Sequence, residues 1–303
     1  MPLMNRRNFS KSLALSLGAA ALPLQAADRK LKIGCTALAW NAVPRTPENL
    51  EPALKDFSEI GFHSFETFAE ILASWDDKGT LADLIAKYKV PLTSGYFTAN
   101  VVDPAQRKTE LEKINRLAKV IKKHNGTFMV LAPNSVRRAE YKFDDNKANI
   151  ISALNEYAKA VVDNGLGTGL HQHTGTAVET RDEVYAIMDG VDTKYLKFAP
   201  DVGQLQKGGA DAAKVIKDFQ KITVHMHLKD FSASPPSAGM AGYCPLGQGK
   251  VDLVSILDTM EAAGHPANIM VELDRNTNAP MSARETGDIS KAFLVKQGYK
   301  FRT

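Results

Sequence analysis

Four of the seven histidines in the chain form two His-x-His pairs, His171-Gln172-His173 and His225-Met226-His227. Residues two apart on an extended strand point the same way, so each pair offers two imidazoles to one side. Imidazole nitrogens bind borderline transition metals and move protons near neutral pH. Carboxylates follow similar apolar runs: Glu66 after HSF, Asp201 after YLKFAP, and Glu272 and Asp274 around the end of NIMVEL. Mixed nitrogen and carboxylate donors suit one divalent Mn²⁺, Co²⁺, Zn²⁺ or Fe²⁺ better than Ca²⁺, with Mg²⁺ as an alternative. The expected ligands are Asp201, His227 and Glu272, with His171 fourth and His173 competing with it for that place. His173 and His225 would then support the ligands or touch substrate. Lys229 and Asp230 follow the second pair at once. Lys229 is a candidate acid or electrophile beside the cation, and an ion pair with Asp230 is its plainer reading.

Such residues need a scaffold that brings distant strand ends together. From Leu31 onward short β-rich runs alternate with helical periodicity. Strands are expected near 31–37, 62–67, 91–97, 127–132, 167–173, 195–201, 222–227 and 268–273. The clearest helix covers 105–124, where Leu111, Ile114, Leu117, Ala118 and Ile121 form one apolar stripe; a second covers about 147–163. Further helices are expected from Pro47, Thr80, Val178, Ala210, Val251 and Ser282, and Gly61, Gly126, Gly165 and Gly264 fit left-handed helix ends. Eight strand–helix repeats of roughly thirty residues match a single-domain α/β fold, the (β/α)8 TIM barrel. A doubly wound sheet usually opens with a Gly-rich phosphate loop, and GCTALAW after the first strand is not one. In a barrel the catalytic groups sit at the C-terminal strand ends, where all the residues above fall. Glu66 is expected on the far side of the barrel from the metal strands, as an acid/base, a sugar-hydroxyl ligand or half of a buried salt bridge. Trp40, Tyr96 and Phe97 are candidates for an apolar platform under a sugar ring, against simple packing. The irregular stretch 231–249 reads as a functional loop, and Gly247-Gln248-Gly249 as conformational.

Composition narrows the class. The 303 residues are 44% hydrophobic and 24% charged, as in a globular protein. Of 38 basic residues, Arg6, Arg7 and Lys11 sit in an acid-free leader, so the remainder carries 35 basic against 34 acidic groups. That balance disfavours a nucleic-acid partner. Cys35 and Cys244 make neither a disulfide framework nor a CxxC metal site. Residues 1–27 read as an export signal of the twin-arginine type: Arg6-Arg7-x-Phe9-x-Lys11, an apolar stretch from Leu13 to Leu24, and small residues at Ala26-Ala27. The expected address is periplasmic or exported, with residues 28–303 as the barrel and no membrane span in the mature form. Oligomeric state is left open.

At these residues the chain resembles the xylose isomerase-like TIM barrels, the sugar phosphate isomerase/epimerase superfamily. The resemblance covers nearly all of 31–300 and rests on HQHTGT (171–176), DVGQ (201–204), HMHLKD (225–230), LGQGKVD (246–252) and VELD (271–274). It implies a divalent ion held by Asp201, His227 and Glu272, and proton movement next to a carbonyl. Ketose 3-epimerases of the superfamily carry a glutamate where His171 stands here. The His-x-His-x-Gly-Thr run instead resembles the inosose dehydratase branch and related lyases and hydratases acting on 3-keto-glycosides. Gln204 replaces the histidine of the usual Asp-x-Gly-His, and is expected to touch substrate together with Trp40, Tyr96 and His225.

The resulting expectation is a metal-dependent enzyme abstracting a proton α to a carbonyl of an unphosphorylated keto-sugar, cyclitol or 3-keto-glycoside. Glu272, His173 or Glu66 would act as base, and Lys229 or His225 as acid. Return of the proton gives isomerisation or epimerisation, and loss of a β-oxygen gives elimination. The alternatives are a non-catalytic periplasmic sugar-binding or partner subunit and, less favoured, a hydrolase resembling the AP endonucleases.

Overall fold

The structure, a computed structural model, describes residues 29–40, 46–232, 240–275 and 278–303. The leader 1–27 and residues 233–239 of the long loop lie outside these. Among the described residues no helix is long and apolar enough to cross a membrane.

Eight parallel strands make one sheet: β1 (Ile33–Thr36), β2 (Phe65–Phe68), β3 (Leu92–Ala99), β4 (Phe128–Pro133), β5 (Gly167–Leu170), β6 (Lys197–Phe198), β7 (His225–Leu228) and, after a two-stranded antiparallel pair β8 (Asp230–Phe231) and β9 (Tyr243–Cys244), β10 (Asn268–Val271). Their spatial order is β6-β5-β4-β3-β2-β1-β10-β7, and the bridges Phe198–Thr223 and Asp201–His227 close the ring between β6 and β7. This is the expected TIM barrel.

Strand alternation divides the core in two. On β4, Phe128, Val130 and Ala132 face the barrel lumen with Tyr96 and Ala199, while Met129 and Leu131 join the larger apolar layer under the helices. Phe97, next to Tyr96, also belongs to that outer layer, so it packs and lines no platform.

The two clearest helices form at Arg107–Lys123 and Phe143–Asp163, and the second begins earlier than its apolar stripe suggests because Asp144 and Asp145 occupy its first turn. Thr180 and Ser282 build capping boxes with Glu183 and Glu285. Gly61, Gly165 and Gly264 have the left-handed backbone expected of them, but at the end of 107–123 Asn125 takes it (φ 63) in place of Gly126. Gly126 is needed for a different reason: a Cβ there would come within 2.5 Å of Ile121 Cγ2. Two short helices, Ala69–Asp77 and Val202–Lys207, escape the periodicity reading, and the second one matters for the site.

Candidate metal and substrate site

Alternation carries three consecutive odd-numbered side chains of the β7 run, His225, His227 and Lys229, into the lumen at increasing height, and all are fully buried. β5 leads to His171, β6 to Asp201 and β10 to Glu272, each almost wholly buried. The expected four ligands therefore converge at the C-terminal mouth. Ligand atoms of His171, Asp201 and His227 lie within 4.8 Å of one another. Glu272 Oε2 touches His227 Nδ1.

Neighbours orient these donors. His171 Nδ1 is 2.9 Å from the Ala199 carbonyl, which leaves Nε2 for a cation when Nδ1 carries the proton. His227 Nε2 is 2.6 Å from Glu66 Oε1, so its other nitrogen faces Glu272. Asp201 accepts the Gln204 amide on Oδ1 at 2.9 Å, capping Val202–Lys207. Capping and cation binding use different oxygens, because Oδ2 takes no part in the cap. Asp201 Oδ2, His227 Nδ1 and Glu272 Oε2 are buried and make close approaches without an aligned hydrogen bond. Two imidazoles and two carboxylates brought together in this way are a donor set that fits a divalent transition metal.

Glu66 stands where expected, on β2 across the barrel from the metal strands, and its role is what the structure corrects: the side chain reaches through the lumen beneath them, fully buried, with His225 Nε2 at 3.0 Å and Ser94 Oγ at 2.5 Å from its Oε2. The buried-salt-bridge reading holds, and Glu66 has no access to a substrate. His225 is likewise no substrate contact: it is fully buried and its ring stacks on Phe128 at 4.8 Å with planes 4° apart.

Charge is strongly perturbed in this layer. Burial opposes ionisation of Glu66, yet the His227 and His225 imidazoles beside it hold its carboxyl well below the usual range. The same balance, with His227 and Lys229 as partners, lowers Glu272. His227 loses to burial but gains more from Glu272 and Glu66, so it is raised, whereas burial and His227 together depress His171. Burial pushes Asp201 up despite Lys229.

Lys229 ignores Asp230. Its Nζ lies 2.6 Å from Asp201 Oδ2, 2.7 Å from Glu272 Oε1 and 2.8 Å from Asp274 Oδ2. Gly203 gives its stem room, since a Cβ there would come within 2.8 Å of Lys229 Cγ. Asp230 instead accepts backbone amides of Phe231, Gly247, Gly249 and Val251 at 2.9 to 3.2 Å, which confirms the turn at 247–249 as conformational.

Above the ligands a pocket of about 130 Å³ is lined by Phe68, Tyr96, His173, Thr176, Glu272 and Asp274, among others. Tyr96 meets His171 edge-on at 5.3 Å and stacks near His227 at 6.0 Å. Trp40 is a correction: it turns to Phe57 (4.8 Å, edge-on) and donates to Asp56, outside this pocket, and Phe68 takes the aromatic place it was expected to fill. Gln204 is fully buried behind the pocket lining, where its Nε2 lies 2.5 Å from His173 Nε2 and 3.1 Å from Asp274 Oδ2. Sequence reasoning gave no role to Ser94 or Phe128, which carry no recognisable motif. It could have given one to Asp274, two residues beyond Glu272 on the same face. A larger cleft of about 590 Å³ opens at the opposite end of the barrel between Lys32, His63 and His265, away from the strand-end carboxylates.

Residues 54–293 match the family model described as xylose isomerase-like TIM barrel. The chain belongs to that family. This xylose isomerase-like barrel is 25% identical over 139 residues to an inosose dehydratase of Geobacillus thermodenitrificans, 42% of this chain and 47% of that protein, so the match spans about half of that relative. It is 20% identical over 276 residues to an inosose dehydratase of Lactiplantibacillus plantarum, 82% of this chain and 91% of that protein. Among solved structures, the IolI protein with a bound zinc atom superposes with a TM-score of 0.72 at 17% identity, over 90% of this chain and all of that one. The 3-keto-D-glucoside 4-epimerase YcjR from E. coli does so at 0.68 and 17%, over 88% and 100%. At such identities the superpositions speak for the fold.

Proposed function

We propose that this barrel is a divalent-metal-dependent carbohydrate lyase that removes a proton α to a carbonyl and expels the β-oxygen, as water from a keto-cyclitol or as the aglycone alcohol from a 3-keto-glycoside. The observation that carries the reading is the convergence of His171, Asp201, His227 and Glu272 at the mouth, under a pocket walled by Glu272, Asp274 and His173. When bound, a cation there supplies Lewis acidity toward a carbonyl and its neighbouring hydroxyl oxygen.

The chain's own groups do the rest. Glu272, kept ionised by the His227 imidazole beside it, takes the α-proton. His173 lines the same pocket and passes a proton to the departing oxygen. Tyr96 and Phe68 offer ring faces to the sugar and exclude water. Elimination is favoured over 3-epimerisation because a second carboxylate base is missing where His171 stands. The dehydratase names of the relatives support the same choice. The basic and apolar leader supports export, and with it an unphosphorylated keto-cyclitol or 3-keto-glycoside as substrate.

Incubation of metal-loaded protein with such ketones in D₂O, followed by NMR, tests the proposal. Loss of water from the keto-cyclitol, or of the aglycone alcohol from the 3-keto-glycoside, with deuterium exchange is expected. Deuterium in an intact skeleton would make the protein an isomerase or epimerase, and no exchange with any of these ketones would overturn the reading.

A further inference from the structure

Lys229 sits where a divalent ion would have to bind. Its ammonium draws on Asp201 Oδ2 at 2.6 Å and Glu272 Oε1 at 2.7 Å, the two carboxylates of the proposed metal site, and it is fully buried. A third oxygen, Asp274 Oδ2 at 2.8 Å, lies further out on a side chain 29% exposed. Two cations bound to the same oxygens in a low-dielectric pocket repel one another strongly. Three buried or half-buried carboxylates around an empty centre would be equally unfavourable.

We propose that Lys229 is a tethered counter-cation: it neutralises Asp201 and Glu272 while no metal is present and retreats to Asp274 when a divalent ion enters. This rests on the metal-site reading above. The retreat has a prepared station. Asp274 is steadied by Gln204 Nε2 at 3.1 Å, and the Tyr243 ring lies 5.0 Å from Nζ, so the ammonium keeps a carboxylate and an aromatic face after leaving the ligands. Asp274 is then a positioning residue that acts through Lys229. The tether sets a threshold, since only an ion that outcompetes an ammonium already in place stays bound.

The test is calorimetric titration of Mn²⁺ into the full chain after chelator treatment, without reference to turnover. Lys229→Met keeps the length and removes the charge, and should tighten Mn²⁺ at least about tenfold; Asp274→Asn should weaken it by about the same factor. Metal-free Lys229→Met should also melt lower than wild type and recover on adding Mn²⁺. Since Lys229→Met strands three carboxylates, the partly exposed Asp274→Asn carries the test if that variant does not fold. Wild-type binding with Lys229→Met no tighter, or with Asp274→Asn no weaker, overturns the counter-cation and leaves the metal site standing. Absence of Mn²⁺ binding in the wild type and in both variants overturns the metal site itself.

Discussion

Glu66 Oε1 lies 2.6 Å from His227 Nε2, across the barrel lumen and 161 residues away in sequence. A carboxylate accepting the outer N–H of an imidazole fixes its tautomer and makes the other nitrogen a better ligand. Glu66→Gln should therefore keep the fold and weaken Mn²⁺ binding by roughly 10- to 100-fold. Glu66→Ala, which also leaves the Nε2 atoms of His225 and His227 without their carboxylate, should destabilise by about 3 kcal/mol. Calorimetry and denaturant unfolding separate the two effects, and unchanged affinity in Glu66→Gln would deny Glu66 its orienting role.

Metal content follows from the converging donors. Purified protein should carry close to a single equivalent of a divalent transition metal, and Glu272→Gln or His227→Ala should lose it while keeping wild-type circular dichroism. Elemental analysis decides; active protein free of metal would rule the assignment out.

Asp230 holds the turn at 247–251 through three backbone amides, those of Gly247, Gly249 and Val251. Asp230→Ala leaves those donors without their acceptor and should lower stability by about 2 kcal/mol, an effect Asp230→Asn reproduces in part because a neutral oxygen accepts more weakly. Limited proteolysis should cut the variant within 247–251 faster than wild type. Equal cleavage would mean that the loop is held by something else.

Gln204 bridges His173 and Asp274. Gln204→Ala frees both and should raise KM several-fold with a smaller change in kcat, because it disturbs the pocket wall and leaves the ligands untouched. A loss confined to kcat would place Gln204 in the chemical step.

Acid should destabilise the metal-free protein through Glu66. Its folded carboxyl is held below its ordinary value of 4.5, so on acidification the unfolded chain takes up the proton first and stability falls. The contribution is fully present above about pH 4.5 and fades below it. Denaturant midpoints in chelator, measured from neutral pH down to about pH 3, should drop for wild type and drop less for Glu66→Gln. Parallel curves would count against it.

Period-two spacing was enough to put His225, His227 and Lys229 on one face, and the alternation of strands with helices was enough for the barrel. Both are local properties of backbone geometry. The convergence of the four candidate donors was legible for the same reason, because each follows an apolar strand and so falls at the same end of the sheet. Trp40 and His225 were misplaced, since type and strand position say nothing about which neighbour a ring meets: Trp40 found Phe57, and His225 found Phe128 below the pocket.

The amino-acid sequence by itself determined the architecture and the donor set, through hydrophobic periodicity and residue chemistry. Only the closed barrel decided that Glu66 serves His227 instead of substrate, that Lys229 turns to Asp201, Glu272 and Asp274, and that Asp230 pins a loop. Those pairings depend on strand register and lumen width, which set distances between residues remote in the chain, and no local pattern encodes them.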